Sequence, residues 1–160
     1  ASILAFMSCL PDLYIIAHLR LYILKLLGAD IKISSKSYIR SGFFSEYPKN
    51  IKLGKDVQVS KDVYFCSNAK IIIGDGCRIA MGVKVINISH HNKDLSSSTK
   101  KDIIIGNNCH ISSNAVILPG TIIEDYVFVG AGAVINGKTK KNGLYLGNPA
   151  RFIGFRNDVT

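Results

Sequence analysis

From Leu53 onward the aliphatic residues of this chain keep step with a period of six. Leu53, Val59 and Phe65 form one run, Ile73, Ile79 and Val85 a second, and Ile105, Ile111, Ile117, Ile123, Val129 and Ile135 a third. Ile33 and Ile39 look like an earlier pair in the same series. A companion series of mostly small residues follows four positions behind: Val57, Val63, Ala69, Cys77, Val83 and Ser89, then Cys109, Ala115, Thr121, Val127, Ala133 and Thr139. Gly or a small or polar residue often follows the aliphatic one directly, as at Gly54, Gly74, Gly106, Ser112 and Gly130. An α-helix repeats about every 3.6 residues and cannot produce this pattern. A unit of one short strand and one turn does, because side chains alternate across a strand and one large and one small residue per unit then face a common axis. Three such units close a triangular coil, and stacked coils bury the aliphatic columns. The pattern predicts an all-β solenoid.

The period is interrupted at two places. A two-residue insertion falls near Ser67-Asn68-Ala69-Lys70, and about a dozen extra residues separate Val85 from Ile105. The segment H-N-K-D-L-S-S-S-T-K-K, ending at Lys101, is polar and lysine-rich, the composition of a projecting loop. His90 and His91 stand side by side where it departs.

Before the repeats, residues 13 to 27 read L-Y-I-I-A-H-L-R-L-Y-I-L-K-L-L. This segment is helical in character, with Pro11 near its start and Gly28 as its stop. It is short for a membrane span and is interrupted by His18, Arg20 and Lys25. A helix packed on the body of the protein is expected, and a helix lying on a membrane surface is the alternative. The domain organisation is then a helical segment over 1–30, a β-helix over 31–140 with a loop at 87–102, and a C-terminal tail over 141–160.

Composition adds constraints to this outline. A chain of 160 residues that is 48% hydrophobic buries a core as a single domain. Twenty Lys and Arg against eleven Asp and Glu leave a net charge of +9, which favours anionic partners. The basic residues are scattered in runs no longer than Lys100-Lys101 or Lys140-Lys141, and no nucleic-acid motif accompanies them, so nucleic acid is not expected as a partner. Cys9, Cys66, Cys77 and Cys109 show neither a C-x-x-C pair nor zinc spacing, and read as reduced, buried thiols of a cytosolic protein. Cys77 and Cys109 also occupy small inward slots of the repeat, where a thiol serves as apolar filler. The opening residues lack the basic region of a cleavable signal peptide. The expected location is cytoplasmic, with membrane association through residues 13–27 left open.

The stretch I-I-I-G-N-N-C-H-I-S-S-N-A-V-I-L-P-G-T-I-I-E-D-Y-V-F-V-G-A-G-A-V-I (103–135), together with L-G-N-P-A-R (146–151), resembles the hexapeptide-repeat acyltransferases, in their sugar and polysaccharide O-acetyltransferase branch. The resemblance covers roughly residues 29 to 155. The N-terminal C-L-P, L-R and L-L-G-A-D-I also look like capsule and O-antigen acetyltransferases of this family. The resemblance implies a left-handed parallel β-helix of hexapeptide repeats with a short N-terminal helix and a projecting loop. It also implies a homotrimer with sites in the clefts between neighbouring helices, and acetyl-CoA as co-substrate. The left hand is implied by the family and runs against the usual crossover rule.

In this family the projecting loop carries a catalytic histidine. Counted from Ile73-Gly74-Asp75, that histidine falls on His90, with His91 on the following position. A sugar hydroxyl is a weak nucleophile, and a neutral imidazole can take its proton as it attacks a thioester carbonyl. Adjacent loop histidines do not converge on one ion without further ligands, so no metal is expected. By the same resemblance the pantetheine arm runs along the turns holding Ser113 and Ala131, using their backbone amides. The phosphate and adenine end lies near Asn136, Lys138 and Arg151.

Several positions depart from the family pattern. Asn136-Gly137 stands where a Thr-Lys pair is common, and Gly154 stands where a second basic residue follows Arg151, leaving Arg156 as a substitute. His110 occupies a slot that usually holds Trp. Asn68 aligns with a substrate-binding carboxylate of related sugar acetyltransferases; its amide would hydrogen-bond a sugar hydroxyl, and a structural turn asparagine is the alternative.

The expected function is transfer of an acetyl group from acetyl-CoA to a sugar hydroxyl in surface polysaccharide biosynthesis. N-acetylation of an amino sugar or small molecule is the alternative within enzymes. A non-catalytic β-helix scaffold is the alternative outside them. A carbonic anhydrase of this fold would need three histidines from adjacent coils, a spacing that His90, His91 and His110 do not show.

Overall fold

Every coil of the chain is a triangle whose sides are short strands. The computed structural model describes residues 11–91 and 94–156, with the backbone alone at 91, 94 and 95, so Cys9 lies outside the described residues. The first coil consists of β1 (Asp30–Ile31), β2 (Tyr38–Ile39) and β3 (Phe44–Ser45). The second consists of β4 (Ile51–Leu53), β5 (Gln58–Val59) and β6 (Tyr64–Cys66), and the third of β7 (Ile71–Ile73), β8 (Arg78–Ile79) and β9 (Lys84–Ile86). A hairpin of β10 (Ile88–His91) and β11 (Asp94–Lys100) then leaves the stack. Coiling resumes with β12 (Ile103–Ile105), β13 (His110–Ile111) and β14 (Val116–Ile117), then β15 (Ile122–Ile123), β16 (Phe128–Val129) and β17 (Val134–Ile135). The segment expected as a tail carries β18 (Gly143–Leu146) and β19 (Arg151–Phe155).

These strands stack into three faces. The first sheet runs β1-β4-β7-β12-β15 and the third β3-β6-β9-β14-β17, all parallel. The second runs β2-β5-β8-β13-β16-β18 in parallel and ends on an antiparallel β19. The result is a left-handed parallel β-helix with its core along the axis.

Register explains the period. Ile73, Ile105 and Ile123 lie one above another on the first face, as do Ile79, Ile111 and Val129 on the second. All six are at most 1% exposed. The turns between sides need a residue in the left-handed backbone region, which Asn, Asp and Gly tolerate. Asp56, Asp62, Asn108, Asn114 and Asn142 adopt it with φ of 54° to 60°, and Gly76 and Gly82 take the same place in the third coil. Side chains at a neighbouring turn tie the coils together: Asp75 Oδ1 accepts from the Lys55 amide at 2.8 Å, Asn107 Oδ1 from Asp75 at 2.8 Å, and Asp125 Oδ1 from Asn107 at 2.7 Å. Gly74 sits under this ladder because a Cβ there would come 2.8 Å from the Gly106 carbonyl carbon.

Two expectations of the pattern need correction. Ile31, and not Ile33, opens the first aliphatic column, because it pairs with Leu53; two extra residues in the following turn leave Ile33 only partly buried. The companion slots assigned to Ala69 and Ser89 belong to Ile71 and Ile103, both fully buried. The corner insertions shift the count, and they turn Ser67 and Asn87 inward instead. Cys66, Cys77 and Cys109 are free, buried thiols. Cys77 is pushed up from its ordinary pKa by its hydrogen bond with Cys109 and by burial, so it stays protonated.

The N-terminal helix α1 (Tyr14–Leu26) ends at Gly28, where φ reaches 101°. The Gly28 amide bonds the Lys25 carbonyl and the Ala29 amide bonds Leu24, which closes the last turn. Ala17, Arg20, Leu21 and Leu24 face the β-helix, whereas Ile15, Leu19, Tyr22 and Leu26 form an outward apolar stripe. Buried Arg20 donates to Asp12 Oδ1 at 3.1 Å and to the Ile39 carbonyl at 3.3 Å. Asp12 also accepts from the Ser41 amide at 2.7 Å and hydroxyl at 2.9 Å and pairs with Lys61 at 3.2 Å. Burial raises the Asp12 carboxyl, but the Ser41 bonds and the two cations outweigh it and bring it from 3.8 to about 2. A carboxyl depressed in the folded state stabilises above its unfolded pKa, and that stability is lost as pH falls through the folded value. Asp12→Asn is therefore expected to lower the unfolding free energy by about 2 kcal/mol at pH 7, with the difference closing between pH 4 and about 2, as measured by urea melts.

Candidate functional site

The site is built at the foot of the hairpin. Asn87 is fully buried at the point where the chain leaves the third coil, and its carbonyl accepts from the Lys101 amide at 2.9 Å where the chain returns. Its side chain faces the corner below: Oδ1 accepts from the Asn68 amide at 3.1 Å and Nδ2 donates to the Ala69 carbonyl at 2.7 Å. The Lys70 amide donates to Asp102 Oδ1 at 2.9 Å, a second tie across the same gap. His90 is three residues beyond Asn87 on β10, within roughly 10 Å of that corner along an extended chain. It pairs with Ser98 of β11, and the register shifts between His90 and His91, a bulge of the kind that re-aims a side chain. The imidazole of His90 is exposed. The side chain of His91 lies outside the described residues.

At the corner itself, Asn68 Nδ2 donates to Glu46 Oε2 at 2.5 Å and to Cys66 Sγ at 3.4 Å. The Tyr64 hydroxyl donates to Glu46 Oε1, and this bond, with burial, raises the phenol above its ordinary pKa. A carboxylate thus stands beside Asn68 after all, supplied by Glu46 from the coil below. Sequence reasoning missed both Glu46 and Asn87. The signal for Asn87 was available, since it stands to Val85 as buried Ser67 stands to Phe65.

The residues matched to the cofactor fall on the C-terminal coils. Ser113 and Ala131 sit one above the other at the corner between the second and third faces, where the Ser113 carbonyl accepts from the Gly132 amide at 2.9 Å. Their own amides donate to no other described residue. Asn136 is exposed on the next corner, beyond β17. Lys138 bridges to Ile122 on the first face and pairs with Glu124 Oε1 at 2.9 Å. Arg151 is exposed at the start of β19. The structure therefore joins Ser113 and Ala131 in one row and sets Lys138 around the corner from it.

A separate cleft of about 400 Å³ opens on the second face, lined among others by Arg78, His110, Tyr126 and Arg156. The His110 ring stacks on Phe128 with centroids 4.9 Å apart and planes 11° from parallel. Burial, then the neighbouring Arg156 and Arg78, hold its pKa below the ordinary histidine value.

Coils of this hand and period, broken once by a histidine-bearing hairpin, define a hexapeptide-repeat β-helix. The family model described as bacterial transferase hexapeptide (six repeats) matches residues 102–137, and that of the hexapeptide repeat of succinyl-transferase matches 71–86. The chain belongs to the hexapeptide-repeat acyltransferases. It is 30% identical over 118 residues to a putative lipopolysaccharide biosynthesis O-acetyl transferase of Escherichia coli (strain K12), covering 66% of this chain and 60% of that protein. Among solved structures, a maltose O-acetyltransferase from Clostridium difficile 630 superposes with a TM-score of 0.82 at 28% identity over 96% of this chain and 83% of that one. A hexapeptide-repeat acetyltransferase from Vibrio cholerae O1 biovar eltor, complexed with acetyl coenzyme A, gives 0.84 at 24% identity over 96% and 84%, a likeness of fold. The chain spans about 60% of the length of the curated relatives it matches.

Proposed function

We propose that the chain transfers an acetyl group from acetyl-CoA to a sugar hydroxyl during surface polysaccharide biosynthesis, with His90 as general base. The observation that carries this reading is the anchoring of the His90 hairpin, through Asn87, on the corner that presents Asn68 and Glu46. In this reading His90 takes the hydroxyl proton, while the Asn68 amide and the Glu46 carboxylate at the corner where its hairpin is anchored hydrogen-bond sugar hydroxyls. The names of a polysaccharide-directed relative and of a sugar-acetylating structural neighbour support the acceptor class, and the neighbour holding acetyl coenzyme A supports the donor.

In this reading the imidazole takes the proton as the hydroxyl oxygen attacks the thioester carbonyl. The C–O bond forms, the C–S bond breaks, and the proton passes to the departing thiolate. The Ser113 and Ala131 amides line the pantetheine arm, and Asn136, Lys138 and Arg151 take the phosphate and adenine end. Three copies of the chain assemble around the clefts that hold these groups, in the cytoplasm. The outward stripe of Ile15, Leu19, Tyr22 and Leu26, flanked by Lys25, supports contact of residues 13–27 with a membrane surface. No helix among the described residues is long and apolar enough to cross a membrane.

Thiol release from acetyl-CoA, followed against a panel of sugars and polysaccharide fragments, tests the reading. Release that depends on one class of sugar is expected. Release that ignores every sugar, or absence of acetyl-CoA binding, contradicts it.

A further inference from the structure

The cleft on the second face holds none of the residues assigned to the hydroxyl or the pantetheine arm, although one of its lining residues, Arg156, is the basic residue expected to substitute at the cofactor phosphates. Arg78 and His110 are register partners on neighbouring strands, so the guanidinium stems from directly beside the imidazole. Arg156 reaches the same place from the far end of the chain: its amide donates to the Asn142 carbonyl at 2.7 Å and its Nη1 to the Asn108 carbonyl at 3.2 Å. Two guanidiniums and one ring thus converge on a concavity whose lining holds no carboxylate. Neither Arg78 nor Arg156 is within ion-pair distance of a carboxylate among the described residues.

Like charges facing one cleft repel unless an anion lies between them, and a guanidinium matches the planar oxygens of a carboxylate or phosphate. The His110 ring is held in place by Phe128 and, with its pKa lowered, is neutral at pH 7 and donates one N–H. An anion arriving here reverses the effect of the two arginines on that ring. The cleft is of the size that holds a small ligand or one sugar unit.

We propose that this cleft receives the carboxylate or phosphate of an acidic acceptor, with Arg78 and Arg156 holding the anion beside His110. The inference deepens the acetyltransfer reading and rests on it for the identity of the ligand as acceptor. It makes Arg78 and Arg156 specificity-determining residues that select acidic over neutral glycans.

The test is binding to the 160-residue chain, read on the His110 ring by NMR. Sodium glucuronate, glucose and coenzyme A are titrated at constant ionic strength into wild type, Arg78→Gln and Arg156→Gln. Glucuronate is expected to shift the ring signal saturably and to raise its pKa, and glucose to leave both unchanged. Each variant is expected to weaken glucuronate binding by about tenfold or more, as for loss of a charge-assisted bond. Glucuronate binding that persists with coenzyme A present supports an acceptor site. An equal response to glucose, no saturable response, or no effect of either substitution overturns the proposal. Displacement of glucuronate by coenzyme A also overturns it, and assigns the cleft to the cofactor phosphates. Because binding is measured apart from turnover, the two readings separate. Glucuronate binding without acetylation of any sugar removes the acetyltransfer reading, and with it the identity of the anion as acceptor, while leaving the anion cleft itself; acetylation without an anion response removes this inference alone.

Discussion

His90→Ala is expected to lower kcat/KM for acetyl transfer by about 10²- to 10⁴-fold, the usual effect of removing a general base. The unfolding midpoint should not move, because the side chain is exposed on a hairpin outside the stacked coils. The KM for acetyl-CoA should change little, since the residues matched to the cofactor lie on the C-terminal coils. His91→Ala, made in parallel, is expected to stay within about threefold of wild type, on the same scale of effects. Steady-state thiol release with saturating sugar checks all three statements. Wild-type activity in His90→Ala would remove the assignment, and loss of activity in His91→Ala alone would move it one residue along the bulge.

Ile111→Ala carries the largest expected effect on stability. Ile111 is fully buried and lies between Ile79 and Val129 in the column of the second face. A strand in a stacked coil cannot collapse sideways into the space left, because its backbone is bonded to the coils above and below. The cost should therefore reach about 2 to 5 kcal/mol, covering lost burial and the cavity left behind. Each coil contacts only its neighbours, so the loss falls on the coils flanking the hairpin. Lys84→Ala, exposed on the outer side of β9, should stay within about 0.5 kcal/mol. Urea melts followed by circular dichroism separate the two cases, and an equal small effect would contradict the core described here.

The solenoid was legible because its cause is local. A left-handed turn residue and one inward aliphatic recur in every unit, and each coil repeats the demand of the one before. The register failed where corners were longer than the repeat. Two extra residues after Ile31 made Ile33 look like the column residue, and the corners at Ser67 and Asn87 displaced the slots assigned to Ala69 and Ser89. Length alone marks such an insertion, whereas the choice of which residue turns inward depends on the coil stacked above it. The hairpin form of the loop, with seven residues in β11, was not visible in its polar composition.

The candidate site was legible only in part for a related reason. His90 and Asn68 stand out through resemblance to a family, but the contact of Asn68 with Glu46 links residues twenty-two positions apart and needs the coil geometry. The same holds for Arg78, His110 and Arg156. Nothing in the spacing of these three suggests a common cleft until β8 and β13 are stacked and Arg156, just beyond β19, folds back over them.

In the proposed reaction acetyl moves directly from thioester to sugar oxygen. The most direct measurement supplies acetyl-CoA labelled with ¹³C in the acetyl carbonyl together with an accepted glycan, and follows the label by NMR alongside the mass of the protein. An O-acetyl ester on the sugar, formed mole for mole with free thiol, is expected, with a protein of unchanged mass throughout. Label retained on the protein, recovered as an amide, or found only as free acetate would contradict it.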